Sequence, residues 1–203
     1  MSAIGSAAGA SVSPPGVWSI DAARSSVTFA VRHVLATLDG CFREFEGRLE
    51  VAPSGLAKGF GTANAASIDT GEPTRDEHLR RSADFFDVER CPRISFASTR
   101  INHLDSGRLR IVGDLTMRGV TREIELNAQA HGATRDVDGN QWIALELRGE
   151  LSRREFGLIW NQALETGGVL LGDRVKIALD ISAVRRVDAG PSGRDGGSAV
   201  QGD

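Results

Sequence analysis

The sequence lacks several features that would indicate a function directly. It contains two cysteines, Cys41 and Cys91, which form neither a Cys-x-x-Cys pair nor a metal-ligand spacing. It has no basic run, and acidic residues are interleaved with its arginines at a net charge of −3. No stretch approaches the roughly 20 apolar residues of a membrane helix. We therefore expect two free thiols, no metal, no nucleic-acid partner and no membrane span.

A secretory signal is also missing from the sequence as it stands, since such a signal needs a basic segment followed by about 7–15 apolar residues. Residues 1–16 are mostly alanine, serine and glycine, and residues 188–203 are similarly small and polar. Few groups in either segment could offset the entropy of ordering the chain. We expect a cytoplasmic protein with disordered tails at 1–16 and 188–203 and one folded domain at 17–187.

The familiar catalytic motifs are absent as well. The sequence has no Gly-x-Ser-x-Gly elbow, no Walker A loop, no His-Glu-x-x-His pair and no Gly-x-Gly-x-x-Gly after a strand. Its four histidines, at positions 33, 78, 103 and 131, have no ligand spacing. We expect no enzymatic activity and no cofactor, with the reservation that residues distant in sequence can converge in a fold.

What the chain does have is alternation of apolar and polar residues, the pattern of half-buried strands. Six runs show it clearly: 27–31, 45–51, 109–115, 124–128, 143–147 and 175–181. Residues 59–68 and 93–101 are predicted as two further strands. Between the runs lie pairs typical of tight hairpins: Asp39-Gly40, Ser106-Gly107, Arg118-Gly119 and Asp138-Gly139. The sequence therefore predicts an all-β chain of about eight strands, an antiparallel barrel or a sandwich.

Two segments depart from this pattern. Residues 74–81 are helix-like, with Thr74 as the predicted cap and Glu77 completing a capping box. We expect this helix to cover a barrel mouth or seam. Residues 160–172 contain the pair Gly167-Gly168 and are predicted to form a loop or a short helix at one end.

The helix begins with a cluster that permits two interpretations, Arg75-Asp76-Glu77-His78. As a functional group it offers an acid, a base and an anion clamp. As a structural group it is a first helical turn, where acidic residues are stabilised by the positive end of the helix dipole. We favour the structural interpretation because nothing in the sequence identifies a reacting centre.

The apolar face of each strand predicts which side chains point to one enclosed space, because residues of equal parity share a face. The inward set is Phe29, Val31, His33, Phe45, Leu49, Ile94, Phe96, Leu109, Ile111, Leu126, Leu145 and Ile177. His33 is the polar member: it is either satisfied by backbone or a neighbouring strand, or it meets a ligand headgroup near a barrel end. Glycine and alanine at several strand positions leave space: Gly47, Gly61, Ala63, Ala65, Ala97 and Gly113.

Four stretches of the chain form a recognisable pattern. They are Trp18-Ser19-Ile20-Asp21 with the run from Ser26 to His33; Arg75-Asp76-Glu77-His78-Leu79 through Asp84-Phe85-Phe86-Asp87 to Pro92-Arg93-Ile94-Ser95-Phe96; Gly113 to Thr121; and Ser152-Arg153-Arg154-Glu155-Phe156-Gly157 with Gly172 to Ile177. No single stretch is decisive, but their order and spacing cover nearly all of residues 17–184. Together they resemble the YceI-like family of lipid-binding proteins.

The resemblance implies an extended, lipocalin-like antiparallel β-barrel with a helix near its mouth. It implies a long apolar channel for a polyisoprenoid chain, such as the tail of an isoprenoid pyrophosphate or a quinone, and it suggests a homodimer. The inward residues named above would then contact the ligand. Many relatives carry a secretory signal that this sequence does not show, so a periplasmic role is not transferred.

Two other functions remain open at this stage. The barrel could be an enzyme, such as a hydrolase or an isomerase acting on an apolar small molecule, in which case two or more titratable groups should meet inside it. It could also be an interaction scaffold without a ligand. A mostly apolar lining favours the lipid-binding protein, and the predicted lining is nearly all aliphatic or phenylalanine.

Overall fold

The computed structural model describes residues 13–34, 36–161 and 170–185. Within these ranges the chain forms eleven strands and one α-helix, α1, Pro73–Arg81. The strands are β1 Gly16–Ile20, β2 Ser26–His33, β3 Ala36–Phe42, β4 Phe45–Ala52, β5 Gly55–Asn64, β6 Ile68–Asp69, β7 Arg93–His103, β8 Arg108–Met117, β9 Val120–Arg135, β10 Gln141–Ser152 and β11 Leu171–Arg185. The predicted all-β class is confirmed.

Eight of these strands form a closed antiparallel barrel. Their order is β1-β4-β5-β7-β8-β9-β10-β11, and β11 pairs back with β1 through Ser19–Val184 and Ile20–Ala183. Closure leaves no free strand edge in this ring, which decides between the predicted barrel and the sandwich.

The remaining three strands extend the wall of the barrel at one end. A short 3-10 turn, Ala22–Arg24, separates β1 from β2, yet both strands pair with β11, through Ile20–Ala183 and Val27–Leu179. The extension continues with β3 on β2 and β6 on β3. We call the end where β1 pairs with β4 the closed end, and the end that carries His33 and α1 the mouth.

The cap of α1 differs from the prediction. Glu72 is the N-cap, and its carboxylate accepts hydrogen bonds from the backbone N–H groups of Thr74 at 3.0 Å and Arg75 at 2.6 Å. Thr74 therefore lies inside the helix, and Glu77 pairs with Arg81 instead of closing a capping box. The prediction was wrong because Pro73 fits the first helical position, which moves the cap to the preceding residue.

Three of the four predicted hairpin turns are confirmed. Positive φ angles occur at Ser106-Gly107, Arg118-Gly119 and Gly139, each between two paired strands. The fourth prediction, Asp39-Gly40, is wrong because both residues lie within β3. A Cβ at Gly40 would come within 2.4 Å of the ring of Phe29, so this glycine makes room for an aromatic ring on the paired strand.

Several predictions fall on residues that the structure does not describe. The pair Gly167-Gly168 and the 188–203 tail lie outside the described ranges, as does the 1–16 tail except for residues 13–16. Cys41 and Cys91 are described and are both free. Among the described residues, no helix is long and apolar enough to cross a membrane.

Candidate ligand-binding channel

The barrel encloses an almost wholly apolar cavity of about 360 Å³. Small-molecule sites commonly measure about 300–1,000 Å³. Its wall is built by aliphatic and aromatic side chains from β1, β2, β4, β5 and β7 to β11, because the inward face of each strand is apolar. Additional wall residues come from β3, β6 and α1: Leu38, Phe42, Ile68 and Leu79.

Two glycines of β5 keep this cavity open. A Cβ at Gly61 would meet only the carbonyl oxygen of Glu46, at 3.8 Å, and one at Gly59 only a methyl of Leu49, at 3.6 Å. The glycines Gly47 and Gly113 are different, because a Cβ there would collide with neighbouring atoms. The space predicted from glycine and alanine positions is therefore free at Gly61 and already filled at Gly47 and Gly113.

The structure brings eleven of the twelve predicted inward residues to the cavity wall: Phe29, Val31, His33, Phe45, Leu49, Ile94, Phe96, Ile111, Leu126, Leu145 and Ile177. Their role as ligand contacts stays a prediction. Leu109 is the exception: it is buried but does not line the cavity. Parity places it on the correct face, but it pairs with Ala128 near the closed end, where side chains fill the interior.

The mouth carries an aromatic cluster that sequence reasoning missed. His78 contacts Phe85 and Trp160 edge-on, with ring centroids 5.3 and 5.7 Å apart, and Phe85 and Trp160 lie 5.3 Å from each other. All three side chains line the cavity. His78 is exposed and Trp160 is half-buried, so the cavity reaches the surface here.

Basic side chains surround the same end. Arg75, His78, Arg153 and His33 line the cavity, and Glu46 is the one acidic residue among the described residues of the wall. The spacing of Arg75, His78 and Leu79 is i, i+3, i+4, which places all three on one helical face. Arg153 directly follows β10 and has the same parity as Leu145 and Leu151 of that strand. The helical spacing and the strand parity that bring these basic residues to the cavity were therefore both visible in the sequence.

Arg153 is the most deeply buried of these basic residues, at 3% exposure. Its guanidinium donates to the backbone carbonyls of Gly172, Leu158, Trp160 and Leu171. Burial lowers the pKa of Arg153, and the nearby charge of Arg154 acts in the same direction. Arg153 thus ties the start of β11 to the irregular segment at 158–160 and brings a positive charge to the cavity wall.

In the cluster Arg75-Asp76-Glu77-His78, two residues have the structural role considered above and two have a position suited to the functional role. Asp76 is buried and accepts hydrogen bonds from the backbone N–H and hydroxyl of Thr70, so it fixes α1 to the end of β6. Glu77 pairs with Arg81. The two acids do not line the cavity, whereas Arg75 and His78 do. Among the described residues, no three His, Cys, Asp or Glu side chains come together as a metal site.

A closed antiparallel barrel with an apolar cavity that reaches the surface at one end is the architecture of lipocalin-like binding proteins. The sequence model of the YceI-like domain matches residues 18–183 of this chain. A UPF0312 protein of Staphylococcus aureus (strain USA300) is 34% identical over 167 residues, which cover 78% of this chain and 92% of that protein. The chain belongs to the YceI-like family.

Solved structures agree with the fold. The YCEI protein of Campylobacter jejuni is 25% identical, with a TM-score of 0.66 over 77% of this chain and 90% of that chain. A domain from Saccharophagus degradans, described as polyisoprenoid-binding and implicated in plant cell wall breakdown, is 14% identical, with a TM-score of 0.60 over 82% of this chain and 97% of that chain. At that identity the second likeness shows the fold alone.

Proposed function

We propose that this protein binds one long apolar lipid, a polyisoprenoid, inside the barrel and acts as its carrier, store or sensor. The observation that carries the proposal is the continuous apolar wall around a cavity that reaches the surface at the mouth. The name of the Saccharophagus degradans domain, which shares this fold, is consistent with it.

The physics of the cavity supports binding through the tail of the ligand. Each buried methylene contributes about 0.8 kcal/mol, so several isoprene units suffice for tight binding even after the cost of ordering a flexible chain. Catalysis would need titratable groups placed together at a reacting centre. The charged wall residues lie mainly at the mouth, and the middle of the described wall is aliphatic and aromatic. We therefore propose a binding protein and not an enzyme.

The mouth favours an anionic headgroup over a neutral one within this proposal. Arg75 and Arg153 bring guanidinium groups to the cavity wall, and His33 and His78 bring imidazole rings. An isoprenoid pyrophosphate would place its negative charge near these groups, whereas the carbonyl oxygens of a quinone carry no full charge to pair with them. The cytoplasmic location of the protein stays a prediction, which cell fractionation tests. The homodimer also stays a prediction, and sedimentation velocity tests it.

The test is to fill the cavity with a side chain while preserving the fold. Gly61→Leu adds an inward side chain where a Cβ meets no close atom, and Lys58→Leu adds the same residue on the exposed face of the same strand. Native mass spectrometry of protein purified without detergent should find a prenyl lipid on the wild type and on Lys58→Leu. Gly61→Leu should retain at least about tenfold less of it.

Two results would contradict the proposal. One is a folded wild type that carries no lipid and binds no prenyl alcohol or prenyl pyrophosphate in titrations. The other is turnover of an apolar ester or isomerisation of a prenyl substrate that is abolished by Gly61→Leu, which would make the barrel an enzyme. Circular dichroism of each variant verifies that the barrel is intact.

A further inference from the structure

On six of the eight strands of the closed barrel the cavity ends at one layer of side chains, whereas on β5 Leu56, which pairs with Val51, still borders it. The deepest wall residues on six strands of the closed barrel are Ile20, Leu49, Ile111, Leu126, Leu145 and Ile181. One step further toward the closed end, two positions along each strand, lie Trp18, Val51, Leu109, Ala128, Ile143 and Ala183. These six are buried, with exposures of 0 to 6%, and do not line the cavity.

Trp18 is the largest member of this lower layer and is 0% exposed. Its indole N–H donates to the carbonyl of Pro14 at 3.2 Å, and the guanidinium of Arg185 lies 5.6 Å from the ring centroid. Arg185 is itself held by the side chain of Gln141 and the carbonyl of Pro15. The indole is therefore held by contacts with Pro14, just before β1, and with Arg185, the last residue of β11.

Two of the five other members of this layer are small, and the remaining three are Val51, Leu109 and Ile143. Ala128 and Ala183 occupy inward positions where the adjacent layer has Leu126 and Ile181. Small barrels often alternate large and small inward residues so that one bulky side chain fills the interior. One indole and two alanines satisfy this rule, and removing the indole would leave space that the alanines do not fill.

From this geometry we propose that Trp18 is the floor of the channel and sets the longest prenyl chain that binds fully. The inference rests on the proposed function. Two residues of strand span about 6.6 Å, or about 5 Å along the axis of a barrel whose strands tilt by 35–45°. Three extended backbone bonds span about 3.3–3.6 Å, so the four chain bonds of an isoprene unit span about 5 Å. One layer thus corresponds to about one isoprene unit.

The test compares variants that move the floor in opposite directions. Trp18→Leu lowers it, and Gly59→Leu raises it, because the new side chain projects beside Leu49 just above the floor. Trp142→Leu is the matched control, since Trp142 lies on β10 outside the cavity. Prenyl alcohols of increasing length are titrated against each protein by displacement of a fluorescent apolar dye, and the chain length at which affinity stops rising is recorded.

In the wild type and in Trp142→Leu, adding a unit beyond that limit should change Kd by less than about twofold. In Trp18→Leu the same unit should tighten binding by about tenfold, and in Gly59→Leu the limit should come about one unit earlier. Loss of a buried indole is a severe core change, so Gly59→Leu decides the case if Trp18→Leu does not fold. A wild type that binds neither prenyl alcohols nor prenyl pyrophosphates contradicts the proposed function, whereas an unchanged limit in folded variants contradicts only the role of Trp18.

Discussion

The two ends of this barrel are stabilised by different physics. At the closed end, regular strands bring apolar side chains into a dry layer, in which Ile143 is paired with Ala183 and Leu109 with Ala128. At the mouth, irregular segments leave the sheet, and their carbonyl groups need other donors. Arginine side chains supply these donors.

Three arginines at the mouth bind backbone carbonyls. Arg80 donates to Ala66 and Ile68, Arg118 to Gly157 and Ala83, and Arg153 to four carbonyls around the start of β11. Such contacts hold the backbone in place without filling the interior. The comparison indicates that apolar packing limits the depth of the cavity. Its entrance is shaped by these hydrogen bonds from arginine side chains to backbone carbonyls, which we call the arginine clamps.

The largest expected effect tests the closed end against the cavity wall. Leu109→Ala should cost about 3–5 kcal/mol of unfolding free energy, because it creates a new void in a packed layer. Leu38→Ala should cost about 1 kcal/mol, since Leu38 is half-buried and already borders the cavity. Urea unfolding of both variants measures the difference. Equal losses would mean that the cavity wall is packed as tightly as the closed end.

The next effect concerns the arginine clamps. Arg153→Met should cost about 2 kcal/mol, because buried carbonyls lose their donors while the apolar volume is largely kept. Backbone amides at the start of β11 should then exchange hydrogen faster, whereas those of Leu109 and Ala128 should not change.

Arg154→Met is the matched control for the clamp, because Arg154 is exposed beside it. Hydrogen exchange followed by mass spectrometry resolves the two ends of the barrel. Faster exchange throughout the barrel in Arg153→Met would show that the mouth and the closed end unfold as one unit, and not as two ends with separate stabilisation.

Much of the barrel could be predicted from the sequence because its strands obey a period of two. This period identified the strands that carry the wall and placed eleven side chains on the cavity. It could not indicate depth along the axis, which depends on how far each strand is staggered against its neighbour. Leu109 shows this limit, since it has the right parity but lies one layer beyond Ile111, the deepest wall residue of its strand.

The mouth was harder to predict because its contacts join segments that are distant in sequence. Arg118 reaches Gly157, 39 residues away, and Arg153 reaches Gly172, 19 residues away. The short strands β1, β3 and β6 were also missed, because five- and two-residue runs carry little periodicity and β3 holds the misleading Asp39-Gly40 pair. Local pattern identifies the strands, but long-range hydrogen bonds define the entrance.

The smallest expected effect is at the helix that borders the mouth. Glu72→Ala should lower the thermal midpoint by a few degrees, because the N–H groups of Thr74 and Arg75 lose their acceptor. Thr74→Ala should leave the midpoint nearly unchanged, because the Thr74 backbone N–H remains available to Glu72. Differential scanning calorimetry compares them. A larger loss in Thr74→Ala would restore Thr74 as the cap.

The same contacts make the cap sensitive to acid. Backbone N–H bonds from Arg75 and then Thr74 hold the pKa of Glu72 below its usual value. A carboxylate with a lowered folded-state pKa stabilises the protein above its unfolded-state pKa of about 4.3, and this contribution is lost as the pH falls through the folded-state value. The midpoint difference between wild type and Glu72→Gln should therefore be largest near neutral pH and shrink as the pH falls below about 4. A difference that stays constant down to the lowest pH at which the barrel is folded would mean that the charge of Glu72 contributes nothing, and that the cap acts only through its neutral hydrogen bonds.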